Sequence, residues 1–239
     1  MKKVRPDLMK TRAIMFDFGG TLDSDGVHWS EQFYNEYRDL GCAVSRQRFD
    51  QAFLEADRII ASSYNVRGHS MRELLSLQVS LQFESLRFED EDRKRKIVDG
   101  CYGSMKKTLE RNKEILSRLR KGYRLGVISN FNGNLEVVCR EFDIDSLLEL
   151  ILDSGNLEVS KPDPRIFELA LERLKLDPPD CCYVGDSFER DIIPAKKVGL
   201  RTIWLRGANC RTCPDPSKVD YIISTLPEIE QVFLEKGVH

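Results

Sequence analysis

Beyond residue 110 the chain alternates short, mostly apolar runs with amphipathic stretches, and very few folds accept that rhythm. The runs are Tyr123 to Ile128, Leu148 to Leu152, Cys181 to Val184, Arg201 to Leu205 and Asp220 to Ile223. Apolar residues dominate each, with Arg124, Glu149, Arg201 and Asp220 among the exceptions, and their length and spacing read as strands. Between them lie helical patterns: Leu135 to Phe142, a face of Ile166, Phe167, Leu169 and Leu171 behind Pro164, a stretch ending at Gly199, and a last helix after Pro227. Another helix face, Ile115, Leu116 and Leu119, stops at Gly122. Strands alternating with helices predict a doubly wound, Rossmann-like parallel sheet of the α/β class, joined by right-handed crossovers. A sixth run of the same kind, Ala13 to Phe16, stands far upstream.

The intervening residues read as helix. Ser30 caps a face of Phe33, Tyr34 and Tyr37 that ends at Gly41, and a second face carries Phe49, Phe53, Ala56 and Ile60. Ser70 and Glu73 have the spacing of a capping box. The run behind them, Leu75, Leu77, Val79, Leu81 and Phe83, alternates as a strand would, but the cap and the helical neighbours favour helix. A fourth stretch, Asp90 to Leu109, is interrupted by Gly100 and Gly103. The expected organisation is an α/β core of residues 1–23 and 110–239, with residues 24–109 inserted as an all-helical cap over the carboxyl edge of the sheet.

Polar residues that end the apolar runs fall at that same edge: Asp17, Ser129 and Asp186, with Lys161 in the neighbouring Ser160 to Pro164 loop. Alone, each reads equally well as something bland. Asp17 starts a turn with Gly19, Gly20 and Thr21, Lys161 is a solvated loop lysine, and Asp191 is an acid on a helix surface. Together they make a complementary set of three carboxylates, a hydroxyl and an ammonium. Clustered carboxylates repel unless a cation neutralises them, and hard oxygen ligands suit Mg²⁺. A lysine and a hydroxyl beside such a cation suit the oxygens of a phosphoryl group.

The ordered set resembles the haloacid dehalogenase-like (HAD) hydrolase superfamily, mostly Mg²⁺-dependent phosphatases with an aspartate nucleophile. Its D-x-D-x-T motif is similar to Asp17-Phe18-Gly19-Gly20-Thr21, its strand-terminal Ser or Thr to Ser129, its basic turn to Lys161-Pro162, and its G-D-x-x-x-x-D to Gly185, Asp186 and Asp191. The insertion resembles that of the subgroup capped between the first and second motifs. The resemblance implies that Asp17 attacks phosphorus and that Asp17, the Gly19 carbonyl, Asp186 and Asp191 serve Mg²⁺. It further implies that Ser129, Asn130, Thr21 and Lys161 surround the phosphoryl group of a small phosphorylated substrate.

One position departs from the pattern. Where these phosphatases carry the aspartate that protonates the leaving group, this chain has Gly19. The resemblance implies that such a loss is compatible with catalysis, since related dehalogenases, phosphonate hydrolases and ion pumps place Tyr, Ala or Thr there. His28, Asp23 and Asp25 are the nearby candidates for a substitute acid. Besides a phosphatase, two readings stay open: a hydrolase of C–halogen or C–P bonds, and a catalytically impaired binding protein.

Composition narrows the partners. The net charge of −2 over 239 residues gives no electrostatic reason to expect nucleic acid or an acidic membrane surface. No window approaches a membrane span, and the apolar run behind the basic start Met1 to Arg5 is too short for a secretory segment. Seven cysteines without a framework spacing fit a reducing, cytoplasmic setting. Cys210 and Cys213 form a lone C-x-x-C that reads as loop rather than as a zinc or redox site.

Overall fold

Six parallel strands form one sheet: β1 (Ala13–Phe16), β2 (Arg124–Ser129), β3 (Leu150–Asp153), β4 (Cys181–Gly185), β5 (Arg201–Leu205) and β6 (Tyr221–Ile223). Their order is β3-β2-β1-β4-β5-β6, so β1 is central and pairs in parallel with β2 on one side and β4 on the other. The four residues of β1 are fully buried, as an apolar run inside a two-sided sheet must be. The computed structural model describes residues 10–207 and 212–233. The basic start and Cys210 lie outside them.

Between β1 and β2 come α1 (Trp29–Asp39), α2 (Arg46–Ser63), α3 (Met71–Leu86) and α4 (Glu91–Leu119). The alternating leucine run lies inside α3, which closes its first turn with the reciprocal Ser70–Glu73 capping box. The helix buries Met71, Leu74, Leu75, Gln78, Val79, Gln82, Phe83 and Leu86, a helical spacing that the alternation hid. A seam of rings joins the first three helices: Tyr37 meets Phe49 at 5.2 Å and Phe83 at 5.8 Å between centroids, and Phe33 meets Phe53 at 5.7 Å. Edge-to-face pairs of this kind add about 0.5–1.5 kcal/mol each to the burial of their area.

One expectation about these helices needs correction. The stretches ending at Leu109 and starting near Ile115 are a single helix, α4, of 29 residues. Neither Gly100 nor Gly103 interrupts it. At Gly100 an added Cβ would meet the Glu36 carboxylate of α1, the movable end of a flexible side chain.

The remaining helices are α5 (Leu135–Glu141), α6 (Arg165–Leu174), α7 (Ile193–Val198) and α8 (Ile229–Phe233). Two apolar clusters cover opposite faces of the sheet: Ile14, Phe16, Val127 and Val184 face one, and Ala13, Met15, Ile128 and Tyr183 the other. The inserted helices touch the core through α5, whose Glu141 accepts from the Met71 N–H at 2.6 Å and from Tyr102 Oη at 2.9 Å. No described helix is long and apolar enough to cross a membrane.

Candidate active site

β1, β2 and β4 end side by side, and their polar termini converge. Asp17 follows β1, Ser129 closes β2, and Asp186 follows β4. Ser129 Oγ donates to Asp17 Oδ1 at 2.9 Å. From the loop before α6, Lys161 Nζ donates to Asp17 Oδ1 at 2.6 Å and to Asp191 Oδ1 at 2.7 Å. Lys161, Asp17 and Asp191 are all buried, so this ammonium between two carboxylates works in low dielectric. Burial opposes the lysine charge, but Asp17 and Asp191 outweigh it and hold its pKa above the usual lysine value.

Two residues fix that lysine, and one of them, Tyr183, the sequence did not single out. Tyr183, inside β4, donates from Oη to the Ile128 carbonyl at 2.9 Å and accepts from Lys161 Nζ at 3.1 Å. A tyrosine in a strand buried on both faces is the signal that could have found it, because its hydroxyl needs a partner there. Asn130 was expected at the phosphate, yet its side chain is spent on the Lys161 backbone. Nδ2 donates to the Lys161 carbonyl at 2.8 Å, and Oδ1 accepts from its N–H at 2.8 Å.

The turn after Asp17 explains its glycine pair. Gly20 has φ of 90°, and a Cβ there would lie 2.5 Å from Asp186 Oδ2. The turn therefore closes on Asp186 only with glycine at this position. Thr21 is buried beneath, its Oγ1 3.5 Å from Asp186 Oδ1, and it lines neither cavity of the site. Gly19 is different: its φ is −72°, and a Cβ would meet only Trp29 Nε1, at 3.7 Å. A Cβ is tolerated there, and the position borders both cavities of the site.

Asp17, Asp186 and Asp191 each offer an oxygen within 4.8 Å of the others. Burial, together with the charges of Asp17 and Asp191, pushes Asp186 up to about 8. One lysine thus does not neutralise three acids, and the deficit of positive charge sits beside Asp186. That donor set fits a divalent cation that prefers oxygen.

The candidate acids are placed differently from one another. His28 caps α1, its Nδ1 accepting from the Ser30 N–H at 3.2 Å, and lines the cavity under the inserted helices. Asp23 is buried behind the Trp29 ring and accepts three hydrogen bonds. They come from the Gly20 N–H at 2.8 Å, Ser24 Oγ at 2.6 Å and the Trp29 indole. Burial pushes it up to about 7, against those donors. Asp25 faces away, paired with Arg111 Nη2 at 2.5 Å and accepting from the Leu226 N–H at 3.0 Å.

Two cavities meet at this site. A small one of about 60 Å³ is walled by Asp17, Ser129, Lys161 and Asp191, and a larger one of about 420 Å³ opens from it toward His28, Trp29, Phe53 and Asp57. Asp57 lines the larger cavity and keeps part of its surface in solvent, while the surrounding protein partly desolvates its carboxyl. Burial raises its carboxyl from 3.8 to about 6, against a hydrogen bond from Gln78. A raised folded-state pKa favours folding fully below pH 4, and this contribution is lost as pH rises through 6. Asp57→Asn should therefore melt higher than the natural protein at pH 8 and together with it at pH 3.5. Equal melting temperatures at both pH values would show that Asp57 ionises freely.

A doubly wound sheet whose central strands bring a buried aspartate and an acidic pair to one edge, met there by a lysine from a neighbouring loop, is the architecture of an α/β-class hydrolase. The chain belongs to the haloacid dehalogenase-like hydrolases, whose family model matches residues 11–199. It is 27% identical to the haloacid dehalogenase-like hydrolase domain-containing protein 3 of Mus musculus, over 84% of both chains. It is 38% identical to the glyceraldehyde 3-phosphate phosphatase of Pyrococcus abyssi, over 39% of this chain and 40% of that one, less than half of either length. A solved dehalogenase structure superposes with a TM-score of 0.63 at 20% identity, covering 93% of this chain and 97% of the other, a likeness of fold.

Proposed function

We propose that the protein is a Mg²⁺-dependent phosphatase that cleaves a small phosphorylated metabolite through an aspartyl-phosphate on Asp17. The observation that carries this reading is the small cavity, of phosphoryl dimensions, with Asp17, Ser129 and Lys161 turned onto it. Asp17, the Gly19 carbonyl and Asp186 would hold the cation, with Asp191 orienting Lys161. When bound, the cation supplies charge to neutralise the acids and the phosphoryl oxygens. Asp17 attacks phosphorus, while Lys161 and Ser129 steady the equatorial oxygens as charge builds. The leaving group departs into the larger cavity, beneath the helices of residues 24–109, which we take as a cap. The phosphatase activity of the Pyrococcus relative points the same way.

Because Gly19 brings no acid, turnover should depend on how well the leaving group carries its own charge. Phenyl phosphates with Mg²⁺ should react faster as the phenol becomes more acidic, and excess EDTA should stop the reaction. In Gly19→Asp, whose Cβ is tolerated, poor leaving groups should gain about 10²- to 10⁴-fold, the usual contribution of a placed general acid. Full activity in EDTA would overturn the metal-dependent reading. Equal leaving-group slopes in the two proteins would show that another acid already acts.

A further inference from the structure

The scissile bond of a phosphate ester held as proposed above lies where the small cavity meets the large one. Among the described residues, three line both: Gly19, Asn130 and Arg190. Gly19 has no side chain to offer. Both polar atoms of the Asn130 side chain are engaged by the Lys161 backbone. Arg190 is left. Its Nε makes one long hydrogen bond, 3.4 Å to Ser187 Oγ, and no carboxylate pairs with its guanidinium among the described residues.

The position of Arg190 follows from its turn. Residues Phe188–Ile192 wind from the end of β4 into α7, and Asp191 points inward to Lys161 while Arg190, one residue earlier, stays at the rim. The Asp191 carboxylate, bonded to Lys161 and to the Ser187 N–H at 2.9 Å, anchors this turn and thereby the arginine. The guanidinium also acts across the cavity: after burial, its charge is the next influence disfavouring a protonated His28. An arginine beside a carboxylate nucleophile would ordinarily be neutralised by an acid. Here its charge is left facing the space that the leaving group must enter.

We infer that Arg190 is a catalytic residue that stabilises the departing oxygen, replacing by fixed positive charge and N–H donors the proton that Gly19 cannot supply. The inference rests on the phosphatase reading. In the step concerned, an Asp17 oxygen forms its bond to phosphorus as the bond from phosphorus to the ester oxygen breaks. The electron pair of the broken bond stays on the ester oxygen, which leaves as an anion against Arg190 and takes its proton from water. A guanidinium does not surrender a proton near neutral pH, so its help is electrostatic, comparable to a donor of an oxyanion hole. It serves substrates whose leaving oxygen develops the most charge.

The test is kcat/KM across a phenyl phosphate series with Mg²⁺ for the natural protein, Arg190→Gln, Arg190→Lys and Asp17→Asn. Removing one oxyanion donor typically costs about 10²- to 10³-fold, so Arg190→Gln should lose on that order with the least acidic phenols. The loss should shrink to a few-fold, about the size of a weak hydrogen bond, with the most acidic. Arg190→Lys should fall between, and inhibition by inorganic phosphate should stay close to that of the natural protein. A uniform loss across the series with weakened phosphate inhibition would show that Arg190 grips the transferred group, and would overturn the inference. An unchanged slope in both Arg190 variants would overturn it too. If the natural protein turns over no member of the series and matches Asp17→Asn, the phosphatase reading itself fails, a different outcome from turnover with an unchanged slope.

Discussion

Asp17→Asn should abolish turnover, with kcat falling on the order of 10⁴-fold or more, as expected when the nucleophile of a covalent mechanism is removed. The substitution is nearly isosteric, and its amide oxygen can still accept from Ser129 Oγ and Lys161 Nζ, the two donors now held by Asp17 Oδ1. The site should therefore keep its shape while losing its chemistry, because an amide oxygen is a poor nucleophile. One negative charge also leaves a cluster that holds an excess of them. Inorganic phosphate should accordingly still inhibit neither more strongly nor more weakly than about tenfold from the natural protein, a change of one charge contact or less. The measurement is single-turnover kinetics with an activated aryl phosphate, together with circular dichroism to confirm the fold. Retention of more than a few per cent of the activity would move the nucleophile to another residue.

Lys161→Gln should have the largest effect on stability. Lys161 is buried and, among the described residues, is the one cation within hydrogen-bonding reach of both Asp17 and Asp191. Removing one partner from a buried ion pair typically costs about 3–5 kcal/mol, because the other charge stays behind uncompensated. Here two acids are left, with Asp186 beside them. Urea unfolding at pH 7 should show that loss, and Mg²⁺ should restore more stability to the variant than to the natural protein, since a ligand of the folded state stabilises by mass action. The Tyr183 hydroxyl would lose its lysine but keep the Ile128 carbonyl, so the strand itself should hold. A loss below about 1 kcal/mol, the worth of a surface pair, would mean that the carboxylates do not ionise together.

The acidic and basic members of the site were legible because topology brings them together. Asp17, Ser129 and Asp186 each end an apolar run, and in a parallel doubly wound sheet all such ends share an edge. Lys161 lies in the loop beside those ends, and it and Asp191 were tied to the site by the likeness of Lys161-Pro162 and of Gly185, Asp186 and Asp191 to the family's motifs. Side-chain direction is not written in that pattern. Nothing in the periodicity tells that Asn130 turns back onto the lysine loop, that Trp29 closes over Asp23, or that Arg190 stays at the rim while its neighbour points inward. The helical insertion was legible from its apolar faces, but its glycines misled. Gly100 looks like a helix breaker in a sequence, yet α4 runs through it unbroken, with the Glu36 side chain of α1 resting beside it. Such close approaches depend on which helices meet, and that is settled only by the packed structure.

The central place of β1 has a consequence for how the chain acquires its shape. Asp17 bonds to Ser129 across 112 residues of sequence and to Lys161 across 144, and Thr21 reaches Asp186 across 165. On a ribosome the first strand is therefore made long before either neighbour exists, and its aspartate has no cation to meet until the lysine loop emerges. All of its sheet pairing is non-local, with β2 and with β4. Closing such large loops is entropically costly and slow, and it leaves an apolar strand exposed while synthesis continues. The helices α1 to α4, rich in contacts close in sequence, can form during that interval. Their early order gives the nascent chain a folded body on which the first strand waits for its partners.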